Sequence, residues 1–384
     1  MPDMNEGHPQ ALESGIEVPK QPGASLLNYK DLLLAGVPLL DVRAPVEFDK
    51  GAFPEAVNLP LLSDEERHLV GIRYKEQGQQ SAIELGAKLL TADLRQQRIK
   101  CWVDFFEQNP NGALYCFRGG LRSRITQQWL KEAGLEIPLV KGGYKALRSY
   151  LIESLDKLCT TMDLMLIGGR TGSGKTLLVN QLGDTVDLEA LAEHRGSSFG
   201  GLTNEQPRNI DFEHSVTIAL LRLREAGVSR VYLEDEARLI GRVCLPDRLR
   251  EAMLQAPIVI LDCDMQRRIR HCFDDYVPDL LQRYTQLLGK EAGFSAFCDH
   301  HRNSLARIQK RFGGENYRHA LELLEQALHQ HLAHNDTSFY AEFIELLLSK
   351  YYDPMYDYQL SKKTKRVIFA GSADDISEMV SSLE

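Results

Sequence analysis

Residues 164–176 read Leu-Met-Leu-Ile-Gly-Gly-Arg-Thr-Gly-Ser-Gly-Lys-Thr and set the architecture of the second half of the chain. The last eight, Gly169 to Thr176, match the pattern G-x-x-x-x-G-K-[ST] of a phosphate-binding P-loop. An apolar run, 164–167, precedes the match and predicts a strand. After it, apolar residues recur at helical spacing: Leu177, Leu178, Val179 and Leu182. This strand–loop–helix order is the context in which the motif binds an anion.

The P-loop glycines let the backbone curl so that its N–H groups face an anion at the positive end of the following helix. Lys175 adds a point charge, and the Thr176 hydroxyl suits Mg²⁺ if that ion takes part. The motif predicts phosphate or diphosphate binding, and it leaves open both the rest of the ligand and nucleotide hydrolysis. The predicted phosphate-binding residues are Gly169, Thr171, Gly172, Ser173, Gly174, Lys175 and Thr176.

Further strands are predicted at 185–188, 230–233 and 257–261, with helical patterns between them and an almost wholly helical pattern from Asp279 onward. Such alternation predicts right-handed crossovers and a mostly parallel sheet, which binds ligands at the carboxyl ends of its strands. Charged residues follow three of these strands. The acids are candidates for a Walker-B role and the arginines for a lid over a polyphosphate, with helix capping or a solvated surface as the alternative. They are Asp187, Glu234, Asp235, Arg267, Arg268 and Arg270.

The first half of the chain predicts a separate α/β unit. Short apolar runs at 38–42 and 113–116 read as buried strands, and 65–106 is mostly helical. We therefore predict a flexible tail at 1–25, an α/β domain at 26–150 and a P-loop domain with a helical C-terminal part at 160–384.

A second loop of interest reads Cys116-Phe117-Arg118-Gly119-Gly120-Leu121-Arg122-Ser123 and lies between a predicted strand and a helix. Backbone amides at a helix N-terminus stabilise a thiolate, the nucleophilic form of cysteine. Arginines nearby strengthen that effect and suit an oxyanion. Cys116, Arg118 and Arg122 are thus predicted to be catalytic, against the alternative of a small buried cysteine at a strand end.

The flanking sequence resembles the rhodanese signature, which implies that Cys116 occupies the sulfur-carrying position of that family. There are two departures: the family's Gly-His-Ile-Pro is Gly-Ala-Phe-Pro at 51–54, and five residues rather than four separate Cys116 from Arg122. A longer loop makes a wider cradle, as in rhodanese-like phosphatases, and suits a tetrahedral phosphate-bearing ligand. The residues that carry the resemblance are Asp41-Val42-Arg43, Glu47-Phe48, Gly51, Pro54, Ala56 and Asn58-Leu59-Pro60.

In this chain a rhodanese-like domain is followed directly by a P-loop domain. From about Leu26 onward, the chain resembles the bacterial tRNA 2-selenouridine synthases. The stretch 188–200 also resembles that family. The resemblance implies a transferase that geranylates the wobble 2-thiouridine of tRNA with geranyl diphosphate and then replaces the S-geranyl group with selenium from selenophosphate. It further implies a selenium-carrying Cys116, with Arg118 and Arg122 on the phosphate, a diphosphate at Lys175, and no tightly bound cofactor.

Composition restricts the remaining choices. The chain has 384 residues, 43% apolar and 26% charged, with a net charge of −9, so RNA must be reached through local basic clusters rather than a global field. Seven scattered cysteines without a C-x-x-C pair argue against a disulfide framework and a zinc site. No apolar run is long enough for a membrane span and no secretory signal is visible, which predicts a cytoplasmic protein. The sequence carries no signal for an oligomeric state. The basic clusters are Arg248 with Arg250, 267–270 and 362–366.

Two other functions fit the same motifs. One is an NTP-dependent kinase or sulfurtransferase that receives sulfur from the rhodanese-like domain. The other is a non-catalytic module in which the rhodanese-like fold senses anions or binds a partner.

Overall fold

The computed structural model describes residues 25–26 and 28–383, and the chain divides into two compact units, Met1–Leu151 and Ile152–Glu384. The predicted tail at 1–25 lies outside the described residues except for Ser25. Among residues 25–26 and 28–383, no helix combines the length and the apolarity that crossing a membrane requires.

The first unit alternates short strands with helices. In chain order these are β1 Ser25–Leu26, α1 Tyr29–Leu34, β2 Leu39–Asp41, α2 Pro45–Phe48, β3 Ala56–Asn58, α3 Asp64–Leu89, α4 Ala92–Gln108, β4 Ala113–Tyr115, α5 Leu121–Glu132, β5 Leu139–Val140 and α6 Gly143–Thr161. Helix α3 begins at a capping box in which Ser63 and Glu66 satisfy each other's backbone amides. It is interrupted at Gly78, because the φ of 81° at this residue is incompatible with a right-handed helix. The predicted helical stretch at 65–106 therefore consists of α4 and of the two segments of α3 that meet at Gly78.

The strands of the first unit form a parallel sheet in the order β1-β5-β4-β2-β3. Its central strands are wholly buried, as expected where helices cover both faces of a parallel sheet. The core beneath the helices includes Leu40, Trp102, Leu114 and Leu130, none of which is exposed to solvent. This sheet brings the carboxyl end of β4, where Cys116 follows, to the same edge as the ends of β2 and β5.

The second unit continues with further strands and helices. They are β6 Asp163–Gly169, α7 Lys175–Leu182, β7 Thr185–Val186, α8 Leu188–Leu191, α9 Asn209–Glu225, β8 Arg230–Glu234, β9 Leu239–Ile240, β10 Val243–Cys244, α10 Asp247–Met253, β11 Ile258–Leu261, α11 Met265–Asp274, α12 Leu280–Leu288, α13 Lys290–Phe312, α14 Gly314–His334, α15 Tyr340–Leu347, α16 Asp353–Ser361, β12 Val367–Gly371 and α17 Ala373–Ser381. Single π-helical turns lie at Asp275–Asp279 and Leu348–Tyr352.

The main sheet of this unit is parallel, with the order β12-β11-β6-β8-β7, and β9 and β10 form a separate antiparallel hairpin. Two predictions from the sequence were wrong in detail. The strand predicted at 185–188 ends at Val186, because Asp187 accepts a hydrogen bond from Ala190 N and caps α8. The C-terminal part is helical as expected except for β12, which pairs with β11 at the edge of the sheet. Periodicity alone does not separate such a short apolar run from a helix segment.

A second apolar core lies among the C-terminal helices. It is built from α11 to α15 and includes Leu280, Phe297, Leu305, Leu324 and Tyr340, all fully buried. This core supports α11, which packs against the P-loop, and it therefore fixes one side of the phosphate site described below.

Candidate functional site

The loop between β4 and α5 forms a cradle of backbone amides around Cys116. The amide of Tyr144 donates to Cys116 O at 2.9 Å, and the amide of Lys145 donates to Phe117 O at 3.0 Å. Within the described residues, no backbone carbonyl accepts a hydrogen bond from the amides of 118–122. Because the carbonyls are taken up by the start of α6, the amides remain available for an anion.

The turn before α6 makes this close approach possible. Gly143 has a φ of 60°, and a Cβ at this position would collide with Cys116 O and Gly119 N. Only glycine fits both the left-handed backbone and the space. The Gly142-Gly143 pair is therefore part of the loop's architecture.

The Cys116 thiol is 3% exposed, and its Sγ lies 3.2 Å from Ser123 Oγ. Ser123 donates its single hydroxyl proton to Gly120 O at 3.0 Å, so the thiol is the donor in the contact with Ser123. A thiolate at Cys116 would leave Ser123 free to turn its proton toward sulfur. The loop thus places a thiol and a hydroxyl side by side.

The two arginines of this loop have different surroundings. Arg122 makes a bidentate ion pair with Glu47, whose Oε1 accepts from Nη2 at 3.0 Å. Burial alone lowers the pKa of Arg122, but Glu47, Cys116 and Asp41 together raise it above the ordinary value. Arg118 is exposed and, within the described part of the chain, forms no ion pair. Arg122 is a fixed charge, whereas Arg118 is free to move onto a ligand.

The rhodanese-like signature residues brace this loop from below. Arg43 and Asp41 are both buried and form a bidentate pair, and Arg43 also donates to Gly51 O at 2.8 Å. Asn58 Nδ2 donates to the carbonyls of Asp41 and Arg43 at 2.9 Å. The Arg43 guanidinium lies 4.0 Å from the centre of the Tyr144 ring. Because Tyr144 N holds Cys116 O, the signature supports the cradle rather than contacting a ligand.

The P-loop in the second unit uses the same backbone device. Gly172 and Gly174 have φ values of 76° and 84°, and α7 begins at Lys175. Among the described residues, no backbone carbonyl accepts from the amides of Thr171, Gly172, Gly174 or Lys175. Lys175 Nζ donates to Gly169 O at 3.1 Å across the mouth of the loop. The predicted phosphate-binding residues therefore lie together around one concave surface.

Helix α11 holds the P-loop carbonyls away from that surface. Arg268 Nε donates to Thr171 O at 3.0 Å, and His271 Nδ1 lies 2.9 Å from Gly172 O. Arg268 is 2% exposed and forms a bidentate pair with Asp353 at 2.6 and 3.0 Å. Arg268 therefore does not fit the predicted role of a lid, because its guanidinium is held by Thr171 O and Asp353 and braces the P-loop. Arg267 and Arg270 are exposed and do not line the cleft.

Carboxylates crowd the floor of the cleft. Thr176 Oγ1 lies 3.5 Å from both Glu189 and Glu234, and Leu188 N donates to Glu234 at 2.9 Å. Burial, together with neighbouring carboxylates, raises the pKa of Glu189 to about 9 and that of Glu234 to about 8. Burial also raises the pKa of Glu236. The raised pKa values favour the protonated forms of Glu189 and Glu234, and a cation close to them would favour release of those protons.

The donor set of a hydroxyl and carboxylates suits a hard cation such as Mg²⁺. Within residues 25–26 and 28–383, however, no three His, Cys, Asp or Glu side chains are grouped so as to hold a metal ion. The residues fit an ion that also uses ligand oxygens, with Thr176 and Glu189 or Glu234 as the protein's share. Such an ion would neutralise developing phosphate charge.

Several cleft residues were missed by sequence reasoning. Arg195 lines the cleft and is held by Asp275 O at 2.7 Å and by Asp279 at 2.5 Å. Lys363 lines it from the other side and donates to both oxygens of Asp235 at 2.8 Å. Glu189, Arg195 and Gly196 belong to the stretch 188–200, whose polar glycine-rich composition was the available signal. Lys363 belongs to the basic cluster 362–366, which the sequence offered as an RNA contact, and nothing local in the sequence places it in this cleft.

The three predicted acids have different partners in the structure. Asp187 lines the cleft and caps α8, Asp235 is paired with Lys363, and Glu234 lies beneath Thr176. The basic clusters are divided as well. Arg366 donates to the carbonyls of Met253 and Ala256, and Arg248 pairs with Asp156 and Glu251. Arg267, Arg270, Lys362 and Lys365 remain exposed.

Comparison with known proteins bears directly on this pair of sites. Residues 162–384 match the family model of the tRNA 2-selenouridine synthase AAA domain, and residues 26–150 match that of the rhodanese-like domain. The chain is 49% identical to the tRNA 2-selenouridine synthase of Marinobacter nauticus, over 92% of this chain and 97% of that protein. The chain belongs to the tRNA 2-selenouridine synthase family.

Other relatives agree. The tRNA 2-selenouridine synthase of Shewanella piezotolerans is 47% identical over 90% of this chain and 95% of its own length, and that of Hahella chejuensis is 48% identical over 91% and 93%. The family that the two motifs indicate is thereby confirmed, as is the fold class of a rhodanese-like domain followed by a P-loop domain.

Proposed function

We propose that this protein is a transferase that converts the wobble 2-thiouridine of tRNA to 2-selenouridine in two steps, geranylation and selenation. The observation that carries the proposal is the presence of two amide cradles among the described residues, of which the first contains a cysteine thiol and the P-loop does not. The cradle without a nucleophile suits a leaving group, and the cradle with a thiol suits group transfer. The tRNA substrate and the selenium are inferred from the family to which the chain belongs.

The P-loop fits the first step. The thiouridine sulfur attacks C1 of geranyl diphosphate, a C–S bond forms, and the C–O bond breaks with its electron pair on diphosphate. The base loses a proton. Unpartnered amides and Lys175 stabilise the charge that develops on the leaving diphosphate. No nucleotide is needed for this step.

The cysteine loop fits the second step, in which selenium replaces the S-geranyl group. Arg122, the mobile Arg118 and the amides of 118–122 would hold the phosphate of selenophosphate near the thiol. As a selenium carrier, the Cys116 thiolate attacks selenium, an S–Se bond forms, and the Se–P bond breaks with its electron pair on phosphorus. Phosphite is the leaving product of this transfer. The terminal selenium then attacks C2 of the base, a C–Se bond forms and the C–S bond breaks with its electron pair on geranylthiolate. An external thiol, as the reductant, then attacks the Cys116 sulfur and breaks the S–Se bond, which frees 2-selenouridine and leaves a disulfide. Direct attack of selenophosphate on the base gives phosphate instead, so the phosphorus product reports the role of Cys116.

Mass spectrometry of tRNA nucleosides tests the proposal. Full-length protein and 2-thiouridine tRNA are incubated with geranyl diphosphate alone, with selenophosphate alone and with both. We expect S-geranyl-2-thiouridine in the first reaction, no modified base in the second and 2-selenouridine in the third. Selenation without geranyl diphosphate would contradict the two-step order.

One observation favours a second candidate, an NTP-dependent kinase or sulfurtransferase. Thr176 and the carboxylates near it are the residue types that hold Mg²⁺ on a nucleoside triphosphate. Release of phosphate from ATP or GTP, with no response to geranyl diphosphate, would support this candidate. We expect no such hydrolysis.

A further inference from the structure

An apolar slot opens behind the P-loop, between α11 and the helices that follow it. Its lining has almost no exposed polar surface. Aromatic rings make up half of that lining: Phe199, Tyr276, His301, Tyr340, Phe343 and Tyr352. An apolar, aromatic wall this close to a phosphate cradle is unusual if the cradle serves a purely polar ligand.

The slot and the phosphate cleft share walls. Thr171 of the P-loop, Tyr276 and Tyr352 line both spaces. On the cleft side the aromatic wall continues through Met355, Tyr356 and Leu360. A molecule with a charged end on the P-loop amides and an apolar end would therefore pass along this wall toward the slot.

The polar atoms of the slot are kept uncharged. His301 is fully buried, and burial lowers its pKa to about 3, so its ring is neutral. Its Nε2 lies 3.0 Å from Tyr276 O and carries the proton, which leaves Nδ1 as a buried lone pair with no partner in the described chain. Burial raises the pKa of Cys272 to about 12, so this thiol is also neutral. The slot excludes ions but tolerates a hydrocarbon.

We propose that the aromatic wall and the slot bind the hydrocarbon chain of an isoprenoid diphosphate whose diphosphate lies on the P-loop. This inference rests on the proposed function and adds the subsite that recognises the chain. An allylic diphosphate develops positive charge on its carbon skeleton as the diphosphate leaves, and aromatic faces attract such charge. Tyr276 and Tyr352 lie where the charged and apolar ends would meet.

The dimensions divide the chain between the two spaces. The cleft has about 590 Å³ of room, enough for a diphosphate and the first isoprene unit. The slot is narrow, with about 30 Å³, which is little more than a water molecule occupies. The far isoprene unit enters by displacing wall side chains. The slot therefore determines which chain lengths bind, and it leaves the affinity for the diphosphate unchanged.

A matched pair of substitutions tests the slot. Ile344 lines it, whereas Ile308 is buried in the same helical core and does not. Full-length Ile344→Phe and Ile308→Phe are assayed for alkylation of 2-thiouridine tRNA with dimethylallyl, geranyl and farnesyl diphosphate. Inorganic pyrophosphate binding is measured by calorimetry. For Ile344→Phe we expect the KM for geranyl diphosphate to rise about tenfold, the KM for dimethylallyl diphosphate to stay within about twofold, and pyrophosphate affinity to stay unchanged.

Ile344→Val keeps the proposal testable if the larger residue prevents folding. Removing a methylene is expected to shift selectivity toward farnesyl diphosphate by about threefold. An unchanged ratio between chain lengths in a folded Ile344 variant, or an equal change in Ile308→Phe, overturns the slot. Failure of the wild-type protein to use any isoprenoid diphosphate overturns the proposed function instead.

Discussion

The cysteine loop of the first unit and the P-loop of the second are built on one plan. In each, a parallel strand runs into a loop most of whose amides have no backbone partner among the described residues, and a second element takes up some of the loop's carbonyls. The start of α6 does so with backbone amides, and α11 does so with the side chains of Arg268 and His271. The two cradles differ in what their side chains add.

That difference separates two kinds of chemistry. The first cradle holds a thiol and an arginine neutralised by Glu47. The P-loop has no cysteine, and beside Thr176 it has carboxylates whose pKa values are raised by burial. Backbone geometry makes both loops suited to an anion. Under the proposed function, the side chains decide between bond formation to the protein and stabilisation of a leaving group.

The largest expected effect comes from removing the Cys116 thiol, which the P-loop lacks. Cys116→Ser is expected to reduce selenation by at least about a thousandfold and to leave geranylation unchanged, because the nucleophile is lost but the P-loop is not. Nucleoside mass spectrometry measures both steps, with Cys101→Ser at an exposed cysteine as the control. Equal loss of both steps would remove the distinction between the two cradles.

The reciprocal change is Lys175→Ala. Loss of its charge at the leaving diphosphate is expected to slow geranylation about a hundredfold. Selenation of tRNA that is already S-geranylated should continue at the wild-type rate. Single-turnover rates for each step provide the measurement, with Lys310→Ala on the surface of α13 as the control. Slower selenation of pre-geranylated tRNA in Lys175→Ala would show that the P-loop serves both reactions.

A substitution at Arg268 tests whether this residue supports the P-loop structurally or closes over a bound ligand. Arg268→Met leaves Asp353 with only the more distant Arg170, at 3.9 Å, and the Thr171 carbonyl without a donor, so we expect the free energy of unfolding of the second unit to fall by about 2 kcal/mol. Arg267→Met, at the exposed neighbour, should change it by less than about 0.5 kcal/mol. Chemical denaturation gives both values. A weaker affinity for diphosphate with unchanged stability would restore the lid.

The smallest effect expected is a pH dependence of opposite sign in the two units. Although burial opposes it, the ion pair with Arg122 lowers the pKa of Glu47, so its stabilisation of the first unit is lost as pH falls. Glu189 and Glu234 have raised pKa values and bind more protons when folded, so the second unit loses stability as pH rises from about 5 to about 9.

Hydrogen exchange read in peptides from each unit measures these trends separately. In the second unit, Glu189→Gln should flatten the pH dependence by about 1 kcal/mol, while Glu205→Gln at an exposed site should not. A second unit that gains stability with rising pH would show that these carboxylates are ionised in the folded protein.

The sequence predicted what local patterns encode. The strand–loop–helix context of Gly169 to Thr176 and of Cys116 to Ser123 appears in the structure at the expected positions. The sequence did not predict Lys363 on Asp235 or the arginine pair of Arg195 with Asp279, because both contacts join residues far apart in the chain. It also misjudged Arg268, since exposure within a basic run depends on which helix face packs inward.

Helix α16 carries one wall of the phosphate cleft. Met355, Tyr356, Gln359 and Leu360 share the side of this helix that faces the cleft, and Lys363 follows just beyond its end. Each residue of an α-helix turns the next by about 100°, so one inserted residue after Tyr352 would rotate all of them away from the ligand. Substitutions on the outer side, as at Tyr358, leave that phase intact. Helix α16 therefore tolerates substitutions on its outer side, whereas an insertion or a deletion within it would disrupt the wall of the cleft.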